Sequence, residues 1–238
     1  MIALFDMDGT LIPWDSQKFF CRHVLRRYPT RRAFLFTFIP LLPFAGILGS
    51  EGLKRAFLSF ICGLTKNEVN ILAEEFAHEW LVHQVWPEML EILKAHQERG
   101  DITILISASP APYVTAFAKM LGFTHAIGTN LTLSNEKKFP LYPDLINNKG
   151  DNKVKRIKEL LGAEHFRPDG TLHKAHGYTD SCADLPMLAL CDNNTCINPG
   201  NRLTLLAEQK GWQIIRLPRP WKSKVHRAWI RLKCITGM

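Results

Sequence analysis

The stretch Ile2-Ala3-Leu4-Phe5-Asp6-Met7-Asp8-Gly9-Thr10 opens the chain with four apolar residues, followed by two carboxylates that are one residue apart. Four consecutive apolar residues predict a short buried strand. Side chains alternate faces along a strand, so Asp6 and Asp8 would project to the same side if the strand continued. Two carboxylates that close are tolerated when a cation lies between them, or when one carries a proton while the other attacks. A surface turn closed by an aspartate is the other interpretation of these residues taken alone.

The length and composition predict an intracellular folded protein. The 238 residues, 46% of them hydrophobic, suffice for one sizeable domain with a packed core plus an accessory domain. We expect no cleavable signal peptide, because the predicted strand already begins at Ile2. The six cysteines are scattered without a Cys-x-x-Cys pair, a pattern typical of reduced thiols in the cytoplasm.

The positive charge is concentrated in two segments. The chain has a formal net charge of +8, and residues 17–50 and 216–238 together hold 13 basic residues and no acidic one. The basic character is therefore local, and it indicates a surface that binds an anionic partner rather than a protein that is basic throughout.

The pattern of apolar residues divides the chain into three parts. Residues 14–99 are predicted to be helical, with the capping-box spacing of Thr65 and Glu68 and a helix over 88–99. From residue 102 strands and helices alternate, which predicts a mostly parallel sheet covered on both faces. Expected strands are 102–106, 123–128, 131–134 (within a hairpin), 174–178, 195–198 and 213–217, and expected helices are 111–121, 151–161, 185–190 and 202–209. We therefore predict a catalytic core over 1–13 and 93–217, a helical cap over 14–92 and a basic tail over 218–238.

Polar side chains follow three of the predicted strands. Asp6 and Asp8 follow the first, Ser107 ends the second, and Asp180 follows the strand 174–178. Ligands of parallel sheets bind at the carboxyl ends of the strands. We expect these side chains to meet at one edge.

Together with Gly150-Asp151-Asn152-Lys153 and Thr179-Asp180-Ser181-Cys182-Ala183-Asp184, these residues resemble the four ordered motifs of the haloacid dehalogenase superfamily. The resemblance covers residues 1 to about 217. It implies an α/β fold, a Rossmann-like three-layer core with a helical C1-type cap, and favours the phosphoserine-phosphatase-like branch.

The resemblance also implies a role for each motif residue. Asp6 would be the nucleophile that forms an aspartyl phosphate, and Asp8 the acid and base. Mg²⁺ would be held by Asp6, Asp180 and the main-chain carbonyl of Asp8. The phosphoryl group would be bound by Ser107, Lys153 and the backbone N–H groups of Met7, Asp8 and Ala108. Asp184 would hold a metal-bound water or orient Lys153.

Some positions leave alternatives open. Lys149 competes with Lys153 for the third motif, and Asp15 is either a cap-proximal contact to the substrate or a helix N-cap. Thr179 stands where the family usually has glycine. Ala183 stands where phosphoserine phosphatases have a polar residue, which weakens an assignment to phosphoserine.

Two segments suggest contact with a membrane. Residues 34–48 are apolar or small and contain Pro40 and Pro43, so they form either a buried helix pair with a broken corner or an interfacial segment. In the tail, the helical spacing places Trp221, Val225, Trp229 and Leu232 on one face of a helix. This face either docks on the protein or lies on an anionic membrane. This pattern resembles the branch that contains bacterial phosphatidylglycerophosphatase C.

We therefore expect a Mg²⁺-dependent phosphomonoesterase in the cytoplasm, peripheral on the inner face of the membrane through 17–50 and 216–238, acting on a lipid phosphate such as phosphatidylglycerophosphate. A phosphatase of a small soluble metabolite, such as phosphoserine or phosphorylcholine, is the main alternative. A nucleic-acid-binding module is a remote one, because no recognition motif accompanies the basic segments, and we expect no nucleic-acid partner. The sequence gives no indication of the oligomeric state.

Overall fold

The core of the protein is a six-stranded parallel sheet. The structure is a computed structural model that describes residues 1–133 and 143–238. The strand order is β3-β2-β1-β6-β7-β8, and every pair of neighbours is parallel. The strands of this sheet are β1 (Ile2–Phe5), β2 (Ile102–Pro110), β3 (His125–Thr129), β6 (Ala175–Thr179), β7 (Asn193–Ile197) and β8 (Gln213–Ile215); β4 (Leu131–Thr132) and β5 (Asp144–Leu145) form a separate antiparallel pair.

The predicted strand at the start of the chain lies at the centre of this sheet. β1 pairs with β2 on one side and with β6 on the other, and all four of its residues are buried. Ala3 and Phe5 enter one hydrophobic cluster, whereas Ile2 and Leu4 enter the cluster on the opposite face. The sheet is therefore covered on both faces, which confirms the predicted Rossmann-like α/β class.

Helices connect and cover the strands. They are α1 (Ser16–Arg27), α2 (Leu35–Phe38), α3 (Ala45–Phe57), α4 (Lys66–Glu79), α5 (Pro87–Glu98), α6 (Ala111–Leu121), α7 (Asp151–Leu160), α8 (Leu185–Leu188), α9 (Asn201–Lys210) and α10 (Lys224–Thr236). Short 3-10 segments lie at Pro29–Phe34, Ile39–Phe44, Leu58–Ile61, Leu81–Gln84, Ala163–His165 and Cys182–Asp184. The capping box of Thr65 and Glu68 begins α4, as predicted.

The helical region and the sheet share one core. Phe20 of α1, Phe60 of the 3-10 segment Leu58–Ile61 and Phe76 of α4 are fully or almost fully buried together with Tyr113 of α6. The ring of Tyr113 lies 4.9 Å from that of Phe20 and 5.4 Å from that of Phe76. The predicted boundary between the cap and the catalytic core, between residues 92 and 93, lies inside α5. Met89 and Leu93 of this helix belong to the same hydrophobic core.

Several elements differ in extent from the expectation. β2 continues through residue 110, with an irregularity in its pairing to β3 after Ile106. The helix expected over 185–190 ends at Leu188. The expected hairpin 131–134 begins as the pair β4 and β5, and its residue Ser134 lies outside the described residues.

The apolar segment of the cap is mostly exposed. By length and composition Pro29–Ile61 is the one stretch of the described residues that could cross a membrane. Gly49 has non-helical backbone angles, and short 3-10 pieces interrupt the stretch. Phe34, Phe38 and Phe57 are buried against one another. Exposed apolar side chains of this segment are Phe36, Ile39, Leu42, Phe44 and Ile47. The interpretation of this segment as a buried helix pair with a broken corner is therefore wrong for the side that carries these exposed residues.

The C-terminal helix docks by a different face from the predicted one. α10 packs on α1, with Cys234 buried and Ile230 partly buried. Val225, Trp229 and Leu232, which share the predicted apolar face, are exposed. The interpretation that this face packs on the protein is therefore wrong for these three residues.

Candidate active site

The main chain after β1 makes a tight turn that presents Asp6. The Asp6 N–H donates to the carbonyl oxygen of Tyr178 at 3.0 Å, so this residue extends the pairing with β6. Gly9 has a φ of +87°, a conformation that favours glycine, and its N–H donates to the Ile12 carbonyl at 2.8 Å. Asp6 is 7% exposed and lines a large cavity.

Each oxygen of the Asp6 carboxylate has a partner. The Lys153 ammonium lies 2.7 Å from Oδ1, and the Thr10 hydroxyl donates to Oδ2 at 3.2 Å. Burial raises the pKa of Asp6 to about 8, against the opposing charge of Lys153. The carboxylate is therefore fixed in orientation and depends on nearby positive charge to remain ionised.

Lys153 is a buried bridge between two carboxylates. Its ammonium lies 2.7 Å from Asp6 and 2.7 Å from Asp184, and its side chain is 2% exposed. Asp184 also accepts a hydrogen bond from the Thr179 hydroxyl at 2.7 Å. The departure from glycine at Thr179 thus supplies a donor that orients Asp184. Lys149 lines the same cavity but makes neither contact.

Asp8 is held by the start of the cap. The N–H of Ser16, the first residue of α1, donates to Oδ1 at 2.8 Å, and the Ser109 hydroxyl donates to Oδ2 at 2.6 Å. Burial and the charge of Asp15 raise the pKa of Asp8 to about 6, although both hydrogen bonds favour the ionised form. A carboxyl with this pKa exchanges a proton readily near neutral pH.

Asp15 occupies the N-cap position of α1 without a capping hydrogen bond from its side chain. Its carboxylate instead pairs with Lys18, and the helix N-terminus is satisfied by Asp8. Asp15 also lines the cavity. Its position is therefore the predicted N-cap, but its side chain does not act as one.

Asp180 follows β6 and lies against the turn at Gly9. A Cβ atom at position 9 would lie 2.5 Å from Cγ of Asp180, so only glycine leaves room for this carboxylate. Burial, followed by the charges of Asp184 and Asp8, raises the pKa of Asp180 to about 7. The buried ammonium of Lys153 thus contacts Asp6 and Asp184, and its charge also acts on Asp180.

These residues fit Mg²⁺. The predicted donors are two carboxylates and one main-chain carbonyl, which are the hard oxygen ligands that this ion takes. Among residues 1–133 and 143–238, no group of three or more His, Cys, Asp or Glu side chains converges as a metal site. The proposed site therefore depends on the Asp8 carbonyl and on solvent to complete the coordination.

Ser107 and Ala108 lie beside these groups on β2. The Ser107 side chain is buried, and its hydroxyl accepts from the Ser109 N–H at 3.0 Å. The Ser107 carbonyl accepts from the Asn148 amide at 2.8 Å. The Ala108 carbonyl accepts from Lys54 and, at 2.5 Å, from the Thr129 hydroxyl. This segment is thus held rigidly from both the core and the cap.

Lys54 was not predicted from the sequence. It comes from α3 of the cap, and its ammonium also donates to Asn147 Oδ1 at 2.8 Å. Burial lowers the pKa of Lys54 to about 8. A lysine among cap residues gives no local signal of this role. Ser109, by contrast, follows Ser107 by two residues at the same strand end, and this spacing could have drawn attention to it.

The cavity that contains these groups has a volume of about 780 Å³. One side is formed by the carboxylates and by Ser107, Ala108 and Lys153. The side formed by the cap and the tail includes Phe38, Leu42, Leu53, Lys54, Phe57, Arg227, Arg231 and Ile235. The site therefore joins a polar floor to a wall that is both apolar and basic.

Comparisons with known proteins agree with this architecture. Residues 3–189 match the family described as haloacid dehalogenase-like hydrolase. A phosphoserine phosphatase of Mycobacterium tuberculosis is 31% identical over 226 residues, which cover 89% of this chain and 69% of that protein. A histidinol-phosphatase of Neisseria meningitidis is 26% identical over 219 residues, covering 90% of this chain and 97% of that protein.

Among solved structures, a Bordetella pertussis protein of unknown function aligns with a TM-score of 0.71 at 23% identity, covering 90% of this chain and 97% of that one. This likeness concerns the fold. The family match spans most of the chain and includes the loops after β1 and β6. The chain therefore belongs to the haloacid dehalogenase-like hydrolases and is a phosphatase, a phosphoric monoester hydrolase.

Proposed function

We propose that this enzyme hydrolyses its phosphomonoester through an aspartyl phosphate on Asp6. The supporting observation is the carboxylate itself, buried at the end of the central strand with one oxygen bound by Lys153 and the other by Thr10. Attack by an Asp6 oxygen forms the new O–P bond while the ester O–P bond breaks. A covalent intermediate divides one difficult displacement into two easier ones.

Asp8 would transfer the protons of both steps. In the first step its protonated carboxyl gives a proton to the leaving alkoxide. In the second it takes a proton from the water that attacks phosphorus, which releases inorganic phosphate and free Asp6. The hydrogen bonds from Ser16 and Ser109, together with a pKa raised to about 6 by burial, suit this alternation.

The phosphoryl group would be bound by donors that converge beside Asp6. Among the described residues, the N–H groups of Met7 and Asp8 have no acceptor within the chain. The Ser107 hydroxyl, the Ala108 N–H and the Lys153 ammonium complete the proposed set. Mg²⁺, when bound by Asp6, Asp180 and the Asp8 carbonyl, would reduce the repulsion between the anionic substrate and Asp6. Asp184 would position Lys153 through the 2.7 Å contact.

The preferred substrate class is a small soluble phosphomonoester. The names of the relatives, a phosphoserine phosphatase and a histidinol-phosphatase, support this alternative over a membrane lipid. Ala183 lines the cavity where a polar residue was expected for phosphoserine, so the substrate need not be phosphoserine itself. A lipid phosphate stays a second candidate because Phe38, Leu42 and Phe57 give the cavity an apolar wall.

A phosphate-release assay tests this proposal. The panel contains phosphoserine, histidinol phosphate, phosphorylcholine, phosphatidic acid and phosphatidylglycerophosphate, each with Mg²⁺ and with a chelator. We expect Mg²⁺-dependent turnover, with a soluble ester preferred, and at least about a thousandfold loss in Asp6→Asn. Asp169→Asn, at a turn whose residues do not line the cavity, is the matched control and should keep full activity. Full turnover by Asp6→Asn would overturn the mechanism.

We also propose that this cytoplasmic enzyme docks on an anionic membrane surface through residues 17–50 of its cap and residues 216–238, which include its tail. Phe36 and Ile47 are 84% and 86% exposed, and Val225 on α10 is 79% exposed. The segments 17–50 and 216–238 that carry them contain only basic charge. Exposed apolar side chains among basic residues are the composition of interfacial elements.

Vesicle co-sedimentation of the full chain tests this docking. We expect binding to vesicles that contain phosphatidylglycerol, weak binding to pure phosphatidylcholine, and loss of binding in the double variant Phe36→Ser/Ile47→Ser. Ile71→Ser, at an exposed apolar residue of α4, is the control and should bind like the unaltered protein. Equal and negligible binding by all forms would remove the membrane from the proposal.

A further inference from the structure

The C-terminal helix brings two arginines into the active-site cavity. Arg227 and Arg231 are one helical turn apart on α10, and both line the cavity that contains Asp6. The end of this helix is anchored, because the Gly237 carbonyl accepts from Arg32 at 3.2 Å and Gly237 lies against Leu25 of α1. The two guanidinium groups are thus carried by an element that is fixed to the cap.

Arg227 is oriented by aromatic stacking. Its guanidinium carbon lies 4.6 Å from the ring centroid of Trp221, whose ring centroid lies 5.4 Å from that of Trp14. Burial, followed by the charges of Arg231 and Arg219, lowers the pKa of Arg227, against the opposing charges of Asp15 and Asp180. Stacking on a tryptophan restricts an arginine without neutralising its charge.

Neither arginine has a carboxylate partner among the described residues. The salt bridges of that part of the chain include no pair with Arg227 or Arg231. Asp15 and Asp180, whose charges oppose this lowering of the Arg227 pKa, form no ion pair with Arg227, and Asp15 is paired with Lys18. Holding two guanidinium groups together without an ion-pair partner for either is unfavourable, and an anionic ligand that pairs with both reduces this cost.

We infer that Arg227 and Arg231 form a second anion subsite, which binds a negatively charged group on the leaving alcohol of the substrate. This inference rests on the proposed function, since it places the phosphoryl group at Asp6 and the second anion at α10. A planar guanidinium matches a carboxylate or a phosphodiester with two parallel hydrogen bonds. The substrate class is therefore a phosphomonoester whose alcohol carries such a group, rather than one whose alcohol is only cationic.

Matched substrate pairs test the subsite. Phosphoserine and phosphoethanolamine differ by one carboxylate, and phosphatidylglycerophosphate and phosphatidic acid, in mixed micelles, differ by a glycerol phosphodiester. The readout is the ratio of kcat/KM within each pair. We expect the unaltered enzyme to prefer the member with the second anion in at least one pair. The pair that shows the preference distinguishes a soluble carboxylate from a lipid headgroup as the source of the anion.

Arg227→Gln and Arg231→Gln should each lower that ratio by about 10- to 100-fold, mainly through KM, because a hydrogen bond to a charged group contributes about 1.5–3 kcal/mol. Lys224→Gln, on the same helix but outside the cavity lining, is the control and should keep the ratio. A merely structural role would lower kcat/KM for both members of a pair equally and leave the ratio unchanged.

The outcomes separate this inference from the proposed function. If the unaltered enzyme shows no preference for the second anion in either pair, or if the arginine variants keep the preference, the subsite is refuted while the phosphatase mechanism stands. If no phosphomonoester, including p-nitrophenyl phosphate, is turned over with Mg²⁺, the proposed function itself fails.

Discussion

Substitution of Gly9 by alanine should disturb the proposed metal site through Asp180. The φ of +87° costs a residue with a Cβ about 1–2 kcal/mol. The new Cβ would also lie 2.5 Å from Cγ of Asp180, whereas carbon atoms in contact are separated by about 3.5–4.0 Å. Asp180 must therefore move by about 1 Å, and a displacement of that size in a catalytic group costs about a hundredfold in rate.

Gly211→Ala is the matched control for this experiment. Gly211 ends α9 with a φ of +67°, but a Cβ there would meet nothing within 4 Å. Both variants should lose about 1–2 kcal/mol in the free energy of unfolding measured with urea. Only Gly9→Ala should lose about a hundredfold in kcat/KM and require more Mg²⁺ for half-maximal rate. If Gly9→Ala keeps the unaltered rate and Mg²⁺ dependence, the argument that Asp180 is positioned for the metal is refuted.

Three further predictions concern hydrogen bonds and pH. Ser109→Ala removes a donor to ionised Asp8 and should raise the pKa of Asp8 above about 6; kcat/KM, which needs protonated Asp8, should then extend to higher pH in a rate profile. Thr179→Val leaves a buried oxygen of Asp184 without its donor and should lower the free energy of unfolding by about 1–3 kcal/mol, measured with urea. Burial lowers the pKa of His176 to about 4, so protonation of this imidazole favours the unfolded chain. As the pH falls from about 6.5 to 4, the free energy of unfolding should therefore fall by at most about 1.4 kcal/mol per pH unit. The fall should be smaller in His176→Gln.

The parts of the fold that follow from local sequence could be predicted. β1 was predictable because four apolar residues precede two carboxylates, and α4 because Thr65 and Glu68 form a capping box. The convergence of the loops after β1 and β6 follows from the parallel sheet, since the carboxyl ends of its strands share one edge.

The contacts that join distant segments could not be predicted. Lys54 of the cap donates hydrogen bonds to Ala108 and Asn147, and the residues near Lys54 in the sequence give no indication of these contacts. The face by which α10 docks could not be predicted either, because that helix carries apolar residues on both of its sides. Which side packs depends on the surface of α1, and the sequence of α10 alone does not describe that surface. Arg227 and Arg231 are two of the seven basic residues of 216–238, and the sequence does not indicate which of these seven face the cavity.

The most direct test of the mechanism is to trap the phosphorylated carboxylate. An acyl phosphate is reduced by borohydride to an alcohol, so aspartyl phosphate becomes homoserine, which mass spectrometry locates in the peptide. We predict homoserine at position 6 when the enzyme is quenched with acid during turnover with Mg²⁺ and then reduced, and none without substrate or in Asp6→Asn. Homoserine at another aspartate, or none during active turnover, would contradict the assignment of Asp6 as the nucleophile.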